Sequence, residues 1–321
     1  MRISDFSKRE RDRMSILNDL LVVSGSVFTL FLMMGVGFFL AKKQLLSRET
    51  QSQLSSLLLK VVAPCLTIGS LQIQRTAEVL RQMAAALGAL VGTYVLCGAV
   101  IWFLFRRQRE DTRAALRFGT MFGNVGFMGI PLISSILGDE AVIFCVMSLV
   151  VFSVSNWTYG VAVMGEKISP RKALVNPGVI GMVIAMALFL LEIRLPAPVL
   201  SAVNYIGDLN TPLAMVVIGG QMAGADLLLT FKDRRLYLST ALKLLVMPVA
   251  VLLVLLPFQL PSVILLTVVI LAGCPTAGAT SMFAQMYGKD TATAARMVTL
   301  ATLLSILTLP VIALVARFAA G

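Results

Sequence analysis

Apolar runs of about 20 residues follow one another through almost the whole chain, separated only by short polar connections. A helix needs roughly 20 mostly apolar residues to cross the hydrocarbon core of a bilayer. With that ruler the runs fall near 20–41, 51–73, 79–105, 114–136 and 140–164, and, after the polar stretch GEKISPRKA, near 174–192, 197–225, 235–257, 261–286 and 290–318. Only 13% of the 321 residues are charged and 58% are hydrophobic, whereas soluble domains carry about 25% charge. Apolar surface on this scale cannot be hidden in one core, so it must face lipid. The pattern therefore predicts an all-α, polytopic membrane protein with ten transmembrane helices. The first run follows a basic tail but lacks a small-residue cleavage site, so it reads as a helix of the mature protein.

The runs divide five and five, with a first repeat over 20–164, a linker over 165–173 and a second repeat over 174–318. Landmarks recur between the halves: Pro64 with Pro212, Gly123 with Gly273, and Gly138 with Gly288. Each half has an odd number of spans, so a duplicated second half enters the membrane from the opposite side. Inverted repeats of this kind are a signature of secondary transporters. The basic residues support an orientation. The odd-numbered connections hold Lys42, Lys43, Arg106, Arg107, Lys167, Arg171, Lys172, Arg234, Arg235 and several others, whereas the even-numbered ones hold only Arg75, Arg81 and Arg194. Basic loops stay on the cytoplasmic side, which puts both termini outside. The tail, residues 1–19, disagrees, because it carries Arg2, Lys8, Arg9, Arg11 and Arg13. A start at Met14 would remove the conflict.

Several functions are excluded or disfavoured by composition. Histidine is absent, which removes histidine metal sites, Ser-His-Asp triads and imidazole relays. The spans hold no paired carboxylates and the chain has no GxxxxGK[ST] nucleotide loop. Cys65, Cys97, Cys145 and Cys274 lie far apart in apolar runs, as small buried residues do. We expect no catalytic residue, no metal and no cofactor. The net charge of +11 lies in loops, without the aromatic interleaving of a nucleic-acid surface, and is read as topology; the expected partner surface is the lipid bilayer.

The fourth and ninth runs are unlike the others. In MFGNVGFMGIPL, Gly123, Gly126 and Gly129 precede Pro131; in LAGCPTAGATS, Gly273, Pro275 and Gly278 cluster. Proline cannot donate a helical hydrogen bond, so Pro131 should free the Phe127 carbonyl and Pro275 the Leu271 carbonyl. Both helices are expected to unwind within the membrane, where irregular backbone is tolerated only if it is buried by protein or lines a cavity. Glycines that merely permit close packing are the plainer explanation, but matched breaks in the two halves favour a binding site. No charged residue occurs between Phe118 and Gly138 or between Phe258 and Gly288. The polar groups there are Asn124, Ser134 and Ser135, and Thr276, Thr280, Ser281 and Gln285, together with amides at half-helix N-termini, whose partial positive charge suits an anion.

This constellation resembles the auxin efflux carrier family of organic-anion carriers, including bacterial carriers of the malonate and malate permease type. The resemblance runs from about Asn18 to Arg317. It is carried by NVGFMGIPLISSILG from Asn124, KVVAPCL from Lys60, NPGVIG from Asn176, AGCPTAGATSMFAQMYG from Ala272 and TLLSILTLPVIAL from Thr302. It implies a scaffold domain of helices one, two, six and seven, often dimeric, and a transport domain of helices three to five and eight to ten. It also implies that helices four and nine cross at their breaks, with the substrate carboxylate beside the crossing. The substrate-binding residues so expected are Asn124, Gly126, Gly129, Pro131, Pro275, Thr276, Thr280 and Ser281. Some family members carry an amide side chain where Thr276 stands, which makes small carboxylates more natural than auxin.

Three further charges lie in or near the spans. Lys60 and Asp208 each precede a proline by four residues, at matching places in the halves. They either serve transport, as an attractor of the anion and a carrier of a coupling proton, or form a structural pair or interface-seeking end groups. Lys243 is expected to snorkel to the interface. The leading function is a secondary carrier of a small mono- or dicarboxylate in the cell inner membrane; the alternative is an anion channel or membrane receptor on the same fold.

Overall fold

The computed structural model describes residues 3–169, 171, 177–224 and 227–320; Lys172 and Asn176 lie outside them. Its elements are α1 (Ile3–Lys42), α2 (Arg48–Ser70), α3 (Ala77–Trp102), α4 (Glu110–Met121), α5 (Val125–Leu137), α6 (Val142–Val163), α7 (Pro177–Leu190), α8 (Ala197–Asp208), α9 (Asn210–Ala223), α10 (Leu227–Lys232), α11 (Arg234–Phe258), α12 (Ser262–Ala272), α13 (Ala279–Met286) and α14 (Thr291–Ala319). Six helical stretches among the described residues are long and apolar enough to cross a membrane: Val23–Lys42 of α1, and α2, α3, α6, α11 and α14. Shorter apolar helices include α5 and α12, the halves that flank the two Gly-Pro breaks. Among the described residues the molecule is helical, and one isolated antiparallel bridge, Gly123 with Thr276, joins those breaks.

Local chemistry sets the ends and irregularities of the helices. The Ser47 hydroxyl accepts the Thr50 N–H, and the Thr76 hydroxyl accepts the Val79 N–H, both at 3.1 Å, satisfying donors that the first helical turn leaves over. Gly138 and Gly288, at φ 84° and 62°, make the turns that follow α5 and α13 in a conformation that side chains rarely adopt. In α2, α5 and α11 a widened π-turn ends two residues before a proline: Leu58–Val62 before Pro64, Val125–Gly129 before Pro131, and Leu242–Val246 before Pro248. The proline ring crowds the carbonyl four residues back and offers no N–H, and slipping to the wider turn relieves both problems. Each π-turn rotates the side chains that follow it.

Apolar residues cover every face of α1 from Val23 to Leu40, so packing selects which face is internal. On α1, Val23, Val27, Leu30 and Met34 are buried, whereas Phe28, Leu32, Val36 and Phe39 are exposed. The buried face lies against α9, where a Cβ on Gly37 would collide with the Val216 carbonyl and one on Gly219 with the Met34 carbonyl. Only glycine permits this backbone-on-backbone contact. Gly181 of α7 packs against Pro64 of α2, where a Cβ would lie 3.0 Å from the proline Cα.

Candidate functional site

Helix α4 ends at Met121 and α5 begins at Val125; α12 ends at Ala272 and α13 begins at Ala279. The unwound segments run antiparallel across one another. The Asn124 N–H donates to the Pro275 carbonyl at 2.7 Å and the Ala277 N–H donates to the Phe122 carbonyl at 2.9 Å. Each break thus satisfies backbone groups of the other, which is what an interruption inside a hydrocarbon slab requires. The Thr276 hydroxyl donates to the Gly119 carbonyl at 2.9 Å, and the Asn124 side-chain oxygen accepts the Phe127 N–H at 3.3 Å. The Leu271 carbonyl, expected to be free, accepts the Cys274 N–H at 3.2 Å, because the chain tightens its last turn before Pro275. Phe118, Phe122 and Phe283 stack beside the crossing, with ring centroids 4.5 and 4.8 Å apart.

Two groups from neighbouring helices reach the same place. The Asn210 amide at the start of α9 donates to the Gly126 carbonyl at 3.3 Å. Lys243 contradicts the expectation of snorkelling. It is 2% exposed, and its Nζ donates to the Ala272 carbonyl at 2.9 Å, where α12 stops. It lies within the π-turn ahead of Pro248, and the long stem lies over Gly123, where a Cβ would be 2.8 Å from Nζ. A cavity of about 20 Å3 beside it is lined by Thr93, Tyr94, Gly123, Ser148 and Lys243, among others. That is room for about one water molecule, so the crossing is closed around its polar groups.

The profile of the Membrane transport protein family matches residues 22–170 and 163–313. The chain belongs to this family of auxin efflux carrier type. It is 24% identical over 311 residues to "Uncharacterized transporter YfdV" of Escherichia coli K12, covering 91% of this chain and 97% of that protein. It is equally 24% identical over 306 residues to "Putative malonate transporter" of Rhizobium meliloti strain 1021, covering 89% and 93%. The chain is thus a member of a transporter family, with several apolar helices suited to a multi-pass membrane protein.

In this family member the residues anticipated for binding divide into three groups. Asn124, Pro275 and Thr276 are buried at the crossing and joined by the bonds above. Gly126 and Gly129 lie in the π-turn that opens α5, and Gly129 faces Leu271 of α12 so closely that a Cβ would clash. Pro131 follows in α5, half-buried. Thr280 and Ser281 are in the first turn of α13, and the Thr280 hydroxyl is buried without a hydrogen-bond partner among the described residues. Lys60 and Asp208 are both exposed and take part in no ion pair among the described residues; the structural pair is not formed. Sequence reasoning missed Lys243 and Asn210. The signal available for Lys243 was its position five residues before Pro248, since a proline in an apolar run marks a local change of helical register.

Outside the spans, polar contacts tie the ends of the broken helices to α14. Asp290 caps α14 through the Thr293 N–H and also accepts from the Thr112 hydroxyl of α4 at 2.8 Å. Burial alone would raise the Asp290 carboxyl, but the hydrogen bonds from Thr293 and Thr112 outweigh it and hold the group below the usual carboxylate range. Lys289 sits 3.6 Å from both Glu110 and Asp111 in the first turn of α4.

Proposed function

We propose that the protein is a secondary carrier of a small organic anion, a mono- or dicarboxylate such as malonate or malate, across the cell inner membrane. In this reading ten helices form two inverted five-helix repeats. A scaffold built on α1, α2, α7, α8 and α9 pairs as a homodimer, and the remaining helices move against it to give alternating access. The substrate carboxylate binds where the breaks cross, with Asn124, Thr276, Thr280 and Ser281 as the side chains nearest the opened backbone. The single observation behind the reading is the crossing itself. Two interrupted helices meet at buried, irregular backbone rich in hydrogen-bond donors, with no carboxylate on either break, and discontinuous helices of this kind are where secondary carriers bind their substrates. The cavity holds little more than a water, so entry of substrate requires the bundles to part.

The test is counterflow. Proteoliposomes loaded with unlabelled malonate should transiently accumulate labelled malonate above its equilibrium level. Saturable binding without flux would instead make the protein a receptor, and unsaturable anion flux without counterflow would make it a channel. Topology is checked separately. A cysteine at Ser169 should resist an impermeant thiol reagent on intact cells while one at Ala320 reacts; the opposite pattern would overturn the inverted arrangement.

A further inference from the structure

We propose that Lys243 is the fixed counter-charge of the transported anion and that a substrate carboxylate accepts the ammonium protons not given to the Ala272 carbonyl. This assignment rests on the carrier reading above and adds the residue that makes the site select for negative charge. An ammonium group has three protons to donate, and Nζ has one hydrogen-bond acceptor among the described residues, the Ala272 carbonyl. Its other protons are left for the adjoining cavity. No carboxylate pairs with it among the described residues, although it is one of the largest fully buried side chains. A buried charge without a partner is strongly unfavourable, and ionisable groups at membrane depth are retained chiefly where they serve function. A carboxylate arriving from outside supplies the missing counter-ion.

Geometry places the amine between the two breaks, beside Gly123 and Ala272. The π-turn turns Lys243 inward, the absence of a side chain on Gly123 leaves space for its stem, and its acceptor is the last carbonyl of α12. Lys243 therefore touches both broken helices. An anion bound there would meet the lysine, the unwound backbone at Gly123, the start of α5 at Val125 and the end of α12 at Leu271 and Ala272. The offset that relates Gly123 to Gly273 also relates Thr93 to Lys243, and both line the same cavity. The two halves thus contribute one neutral and one cationic group to a shared site, which is how an inverted repeat acquires charge selectivity.

The experiment compares the full-length protein with Lys243→Met and Lys243→Gln in thermal unfolding. Malonate is the charged probe and uncharged malonamide the control. Malonate, not malonamide, should stabilise the parent. Both variants should bind malonate at least tenfold more weakly, and ligand-free Lys243→Met should melt at the parent's temperature or above it, because it replaces a buried charge with an apolar chain of similar length. Lys243→Gln keeps a donor for the Ala272 carbonyl and removes only the charge. If Lys243→Gln binds malonate like the parent, or if Lys243→Met melts lower without ligand and Lys243→Gln restores both stability and affinity, the lysine is a structural tie and the assignment is overturned. A parent that malonate and other small carboxylates leave unshifted defeats the carrier reading, and this assignment with it, before any variant is compared.

Discussion

The break between α4 and α5 and the break between α12 and α13 solve one problem in different ways. The first is short and largely self-sufficient. Three residues separate the helices, the Asn124 side chain caps the next turn, and the Asn124 backbone carbonyl accepts the Met128 and Gly129 N–H groups at 3.2 and 3.0 Å. The second spans Gly273 to Gly278, has no side-chain cap at Gly278, and draws its side-chain contacts from elsewhere: the Lys243 ammonium donates to the Ala272 carbonyl, and the Thr276 hydroxyl donates to the Gly119 carbonyl of α4. One break is written mostly in its own segment and the other depends on distant helices. A helix interruption therefore needs only matched glycines and prolines to form, but its geometry is set by whatever packs around it.

The sharpest way to break this comparison uses the glycines at matching places. A Cβ at Gly123 would lie 2.8 Å from Lys243 Nζ and 3.1 Å from the Cys274 carbonyl oxygen, whereas at Gly273 the nearest atom is Ile312 Cγ2 at 3.4 Å. Gly123→Ala should abolish malonate counterflow and destabilise the protein by about 1–3 kcal/mol, the usual range for overpacking. Gly273→Ala should stay within about 1 kcal/mol in thermal unfolding. Equal effects would mean that the breaks are packed alike.

Next in size is Thr276→Val. It leaves the buried Gly119 carbonyl without its donor, at about 1–3 kcal/mol, and chemical unfolding should show it. Asn124→Ala removes a local cap worth about 1 kcal/mol and should be the milder change in stability. Its effect on malonate affinity should be larger, about ten- to a hundredfold, if a hydrogen bond to a charged carboxylate is lost. The opposite ranking in stability would show that the first break also leans on tertiary contacts.

A pH series sharpens the comparison at the far end of α13. The folded-state carboxyl of Asp290 is held low, so its stabilising contribution is fully present above the ordinary aspartate value of 3.8 and is lost as pH falls through the lower folded value. Asp290→Asn should flatten this acid limb in unfolding curves. Thr280→Val should have the smallest effect on stability, within about 0.5 kcal/mol, because the hydroxyl has no partner to lose. A drop in malonate affinity with unchanged stability would identify that hydroxyl as a substrate ligand.

The sequence by itself determined the all-helical, membrane-embedded class, the positions of both interruptions and the residues inside them, because hydropathy, proline and glycine act on their own neighbours in the chain. It also located Asn124, Pro275 and Thr276 at the breaks. Only the tertiary structure decided that the breaks close on each other, that Asn210 reaches Gly126, that Lys60 and Asp208 stay unpaired, and that Lys243 turns inward. Hydropathy cannot choose an inner face on a helix that is apolar all round, such as α11. That choice comes from packing against α4, α12 and α14, and from the π-turn before Pro248, which together carry a lysine expected at the interface into the centre of the crossing.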